Sequence, residues 1–120
     1  MSKHRPTDIS LHQQSRMLEL HFDDGKVFSL PCEYLRVFSP SAEVRGHGLP
    51  EPLLIVGKEN VNIIAIEPVG QYAVKLVFDD GHDSGLFDWD FLYSLGLNYA
   101  KNWARYLERL AANGLSREST

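Results

Sequence analysis

Apolar and polar positions alternate over residues 17–22, where Leu18, Leu20 and Phe22 oppose Met17, Glu19 and His21. A period of two is the mark of a half-buried strand, and residues 9–11 carry a shorter version of it. Asp23-Asp24-Gly25 supplies turn chemistry, because glycine accepts positive φ and aspartate bonds nearby backbone. Residues 26–30 return as the partner strand. Pro31 then opens a short helix predicted over 31–37, where its missing N–H would have had no intrahelical partner. A second hairpin is predicted from 62–68 and 72–78 around Val69-Gly70-Gln71, and Asp79-Asp80-Gly81 turns the chain into a short strand ending near Phe87. Asp88 caps a helix expected to reach about Leu95 and to end on a left-handed Gly96. Asn98 is the expected cap of the last helix, and Gly114 its terminator. Within that helix Tyr99, Trp103, Tyr106, Leu107 and Leu110 recur at three- and four-residue spacing, an apolar stripe that leaves Lys101, Arg105, Glu108 and Arg109 largely on the wet side. Residues 115–120 are expected to fray.

The chain repeats itself. Phe22-Asp23-Asp24-Gly25 recurs as Phe78-Asp79-Asp80-Gly81. With one inserted residue, Leu30-Pro31-Cys32-Glu33-Tyr34-Leu35 then matches Phe87-Asp88-Trp89-Asp90-Phe91-Leu92. Each unit reads strand, turn, strand, short helix. Two such units predict an α+β fold: a small antiparallel β-sheet domain built from two hairpin-plus-helix units, with a C-terminal amphipathic helix. The two hairpins are expected to pair into one sheet.

Bulk properties narrow the function. A chain of 120 residues suits one domain, with an ordered core expected over about 5–113. A formal net charge of -4 argues against general nucleic-acid binding, which needs a basic face for the phosphates. No apolar run approaches the ~20 residues that span a bilayer, and the opening residues lack the apolar core of a secretory signal, so a cytoplasmic location is expected. The single cysteine, Cys32, excludes an intramolecular disulfide and a multi-cysteine zinc site.

No set of side chains reads as a catalytic centre. Cys32 follows a proline near a helix start, but nothing places a histidine base beside it, so a buried apolar role is expected. The five histidines show no metal-ligand spacing; His82, beside Asp79, Asp80 and Asp83, is the best single metal nominee, against the plainer reading of a solvated turn. The most informative stretch is 35–48. Ser39-Pro40 starts a helical turn there, and Arg36, Ser39, Ser41, Glu43, Arg45 and His47 are the candidate contacts for a protein partner or a small anion.

The Leu35-Arg36 pair, Ser39-Pro40-Ser41-Ala42-Glu43, Gly46-His47-Gly48, the two Asp-Asp-Gly turns and Phe87-Asp88-Trp89 together resemble the γ-butyrobetaine hydroxylase-like N-terminal domain family. The resemblance runs over roughly 5–110. It implies an accessory domain: in full-length hydroxylases the domain precedes an iron(II)- and 2-oxoglutarate-dependent catalytic domain, and it also occurs attached to P-loop ATPases that carry iron–sulfur clusters. The resemblance implies that the catalytic iron ligands belong to that separate catalytic domain, so the hydroxylation is not expected of the residues read here. The family's zinc is held by three cysteines and one histidine. His82 matches the histidine, while the cysteine positions fall on Ser39, Ser41 and Val44, which offer no thiolate. The expectation is therefore a non-enzymatic accessory or protein-interaction module without a resident cofactor, with iron or zinc binding, or anion binding, as the alternatives.

Overall fold

The computed structural model describes residues 4–40 and 54–117. Its elements run β1 (Pro6–His12), β2 (Met17–Phe22), β3 (Val27–Pro31), α1 (Cys32–Val37), β4 (Ile63–Val69), β5 (Ala73–Phe78), β6 (Leu86–Asp88), α2 (Trp89–Leu97) and α3 (Tyr99–Ala112). The strands form two antiparallel three-stranded sheets, ordered β1-β2-β3 and β4-β5-β6. The fold is α+β. The expected single sheet does not form: each repeat keeps its own sheet, because a third strand (β1 or β4) takes the free edge of the central one.

The repeat is thus strand–strand–strand–helix, and it extends to single hydrogen bonds. Gly25 and Gly81 adopt φ of 89° and 91° and donate to Phe22 O and Phe78 O. The amides of Phe22 and Phe78 bond Lys26 O and His82 O, and those of Asp23 and Asp79 bond Arg5 O and Asn62 O. Lys26 N donates to Asp24 Oδ1 and His82 N to Asp80 Oδ1. Even the irregularity recurs, in β1 between Pro6 and Asp8 and in β4 between Ile63 and Ala65.

The alternation read in β2 decides what faces inward. Leu18, Leu20 and Phe22 are buried, and they share one cluster with Leu30, Tyr34, Leu35, Ile63, Leu76, Phe78, Phe87 and Leu92. Both sheets and the first two helices close on this core, where each large side chain contributes roughly 2 kcal/mol by leaving water. Tyr34 has no exposed surface; its hydroxyl donates to Leu95 O at 2.7 Å and accepts from Asn102 Nδ2 at 3.0 Å. Burial pushes that phenol up to about 12. Cys32 is buried as expected, and burial raises its thiol.

Several local expectations give way to packing. Pro31 ends β3 and serves as the N-cap of α1 rather than as its first helical residue. Gly96 lies inside α2, which runs on to Leu97, and it has no positive φ. It is small for another reason: a Cβ there would stand 2.4 Å from Phe28 Cγ. Asn98 makes no side-chain cap to α3; its Nδ2 turns back to Ser94 O at the end of α2. Asp88 does cap α2, accepting from Phe91 N at 2.7 Å. In α3 the stripe is narrower than expected, with Tyr106 and Leu110 buried and Leu107 at 41% exposure. Gly114, at φ 66°, ends the helix as expected. The tail does not fray through 115–117: Leu115 N bonds Leu110 O, and Arg117 O accepts from Gly57 N.

Candidate functional site

The second Asp-Asp-Gly turn gathers the residues around the 35–48 stretch. Its tight geometry holds the Asp80 carboxylate over its own loop, where Oδ1 accepts from His82 N at 3.1 Å. Oδ2 faces outward from the turn and meets two cations. Arg36 Nε, from the last turn of α1, donates at 2.8 Å, and Lys58 Nζ, from the loop before β4, at 2.6 Å. Burial alone would raise the Asp80 pKa; the Lys58 ammonium, the His82 amide and the Arg36 guanidinium outweigh it and hold the group at about 2. Asp80 is therefore a fixed anion tying together two chain segments that lie on either side of residues 41–53.

Beside it, Ser39 Oγ and His82 Nε2 share a 2.9 Å hydrogen bond whose direction follows the imidazole tautomer. Both residues are buried, Ser39 fully and His82 to 5% exposure. Gly85 makes room for the pair, since a Cβ at that position would lie 2.1 Å from Ser39 Oγ. Arg36 is itself 9% exposed, and its Nη1 is a buried donor with no hydrogen-bond partner among the described residues.

Of the residues read as candidate contacts, the structure brings Arg36 and Ser39 together with His82. It places all three inside, as anchors rather than as exposed groups. Ser41, Glu43, Arg45 and His47 lie outside the described residues. Asp80 and Lys58 were missed as members of the cluster. The repeated Asp-Asp-Gly was the available signal for Asp80; nothing local distinguishes Lys58 from a surface lysine.

The family's zinc can be tested on these atoms. Ser39 and His82, two of the four matched positions, are adjacent, but they bond each other, and a hydroxyl is no substitute for a thiolate. Among the described residues no three His, Cys, Asp or Glu side chains converge as a metal site would require. The donor set does not fit tetrahedral zinc.

A duplicated strand–strand–strand–helix unit with a polar clamp at its second turn defines a small α+β domain. The chain belongs to the family described as Gamma-butyrobetaine hydroxylase-like, N-terminal, whose pattern it matches over residues 9–93. Two solution NMR structures are similar to it at 56% and 51% identity. Each is matched over 98% of this chain, and over 87% and 92% of its own, with TM-scores of 0.84. A crystal structure at 1.93 Å of a protein of unknown function from Acidithiobacillus ferrooxidans, assigned to the DUF971 family, is 37% identical. It covers 77% of this chain and 92% of its own, with a TM-score of 0.65. No curated protein matches. No helix among the described residues is long and apolar enough to cross a membrane.

Proposed function

We propose that the chain is a non-catalytic accessory domain that engages a protein partner through the stretch from Ser39 to His47, in the setting of iron–sulfur or iron-enzyme biology that the family suggests. One observation supports this most. Asp80 grips Arg36 before residues 41–53 and Lys58 after them, while Ser39 is tied to His82. Fixing both ends of a segment limits the conformations open to it and so lowers the entropic cost of binding through it. Arg36 and Ser39 thereby act as positioning residues, and Ser41, Glu43, Arg45 and His47 are assigned the contact.

A photo-crosslinking residue placed at Glu43 or His47 in the full chain, expressed in cells, tests the proposal. One protein is expected to be captured from both positions and lost on R45A, with none captured from Lys101 on α3. Equal capture from all three positions would sink the reading. Arg36 Nη1, which has no partner among the described residues, supports a second reading, a small carboxylate or phosphate held by the 39–45 stretch. Amide shifts near Ser39 on adding 2-oxoglutarate would favour it, and a flat titration at millimolar ligand would discard it.

A further inference from the structure

On another part of the molecule, the turn between β1 and β2, the start of α1, the loop before β4 and the first turns of α3 enclose a cleft of about 410 Å³. That is the size of a small-molecule or side-chain pocket. Its floor is unusual for so small a domain. The Glu33 carboxylate sits at 7% exposure, and a desolvated carboxylate is tolerated only when closely paired. Its partner comes from 84 positions away, at the end of the described chain: Arg117 Nε donates to both carboxylate oxygens at 3.0 and 3.2 Å, and Nη2 to Oε1 at 2.9 Å. The rings of Tyr99 and Trp103 line the same cleft. A planar fork on a buried carboxylate, in a cleft that Tyr99 and Trp103 also line, suits a guanidinium better than an ammonium.

Two features separate this from an ordinary structural ion pair. Arg117 remains 40% exposed and reaches the cleft past Gly114, whose positive φ bends the chain out of α3 where a Cβ would touch nothing. The cleft also retains open volume with Arg117 in place. Part of the lining is built under strain: Arg16 is the sole non-glycine among the described residues with positive φ, 56°, a conformation costing about 1–2 kcal/mol. It is held there by Cys32 N donating to Arg16 O at 2.9 Å and by its own Nε donating to Asn60 O at 3.0 Å. Such strain collects where a wall must be kept in position.

We infer that this cleft is a guanidinium-recognition pocket, that Arg117 occupies it in cis, and that an arginine side chain of a partner polypeptide takes it by displacing the tail. The site is independent of the 39–47 contact. Arg117 then acts as a tethered competitor present at roughly millimolar effective concentration or above, so the intact chain admits only ligands that outbid it.

N-acetyl-arginine amide, followed by NMR on the full-length chain, tests the inference. R117A is expected to bind it saturably at millimolar concentration, with shifts confined to the Trp103 indole and the amides of Glu33 and Tyr99. The wild type should bind about tenfold more weakly. R117A combined with E33Q should lose binding, and N-acetyl-lysine amide should bind R117A several-fold more weakly than the arginine amide. No saturable shift in R117A, equal affinity in wild type and R117A, or binding that survives E33Q would each overturn the inference. Should R117A fail to fold, R117K replaces it under the same criteria. Loss of the fold in both variants would also overturn the inference, by showing the pair to be structural.

Discussion

Asp24 and Asp80 hold equivalent places in the two hairpin turns, and each carboxylate binds the helix of the other repeat. Tyr93 Oη, from α2, donates to Asp24 Oδ2 at 2.5 Å, and Arg36 Nε, from α1, donates to Asp80 Oδ2 at 2.8 Å. The matched segments put Arg36 and Tyr93 at equivalent positions, one residue beyond Leu35 and Leu92. The repeats are therefore stitched reciprocally, with a neutral hydroxyl donating to the carboxylate on one side and two cations paired with it on the other. The charged side flanks the proposed contact stretch.

That asymmetry sets the first expectation. Asp80→Asn leaves Arg36 and Lys58 without their anion in a partly buried place, and should cost about 2 kcal/mol. Asp24→Asn, which keeps an acceptor for the neutral Tyr93 hydroxyl, should cost less. Urea unfolding with an unchanged m-value measures both; equal midpoints for the two variants would show the clamp to be dispensable.

Acid should act through the same group. The Asp80 pKa is lowered to about 2 in the folded chain, below its unfolded value, so its contribution is present above the unfolded pKa and is lost as pH falls through the folded one. Stability should decline between about pH 4 and pH 2, and the decline should flatten in Asp80→Asn. Tm measured across that range checks it.

Alkali should act through the phenols. Burial raises the hydroxyls of Tyr34 and Tyr106 to about 12, above the ordinary tyrosine value of 10.0. Groups raised in this way stabilise the fold below the unfolded pKa and cease to do so as pH rises through the folded one. Tyrosinate absorbance from these two should stay absent below about pH 11 and then appear together with unfolding. A titration showing all five tyrosines ionising near pH 10 in the folded chain would contradict the packing.

Gly96→Ala should destabilise by about 2 kcal/mol, because the new methyl meets Phe28 Cγ at 2.4 Å and the core has no slack to receive it. Trimming the partner in Phe28→Leu should recover part of that loss in the double variant, and Tm values of the three proteins read it directly.

Ser39→Ala removes one bond of a buried histidine and should cost about 1 kcal/mol. Gly85→Ala should cost more, since its Cβ would strike Ser39 Oγ and force the pair apart. The His82 ring signals in NMR should move in both variants, and an unmoved ring would place the contact elsewhere.

Strands, turns and helix starts were legible in the sequence because they rest on neighbours: period-two alternation in β2, glycine at the two Asp-Asp-Gly turns, an aspartate cap at position 88. The internal repeat was legible too, and with it the α+β class. Only the tertiary structure decided that each repeat closes its own sheet and that Gly96 is small for the sake of Phe28. It also decided that Arg36 and Ser39 are buried anchors, and that Glu33 meets Arg117. These pairings join residues 43 to 84 positions apart. Whether such a group faces water or a partner depends on which distant element covers it, and the energy of a charge or hydroxyl in the low-dielectric interior is set by that partner alone, a property no local pattern of residues encodes.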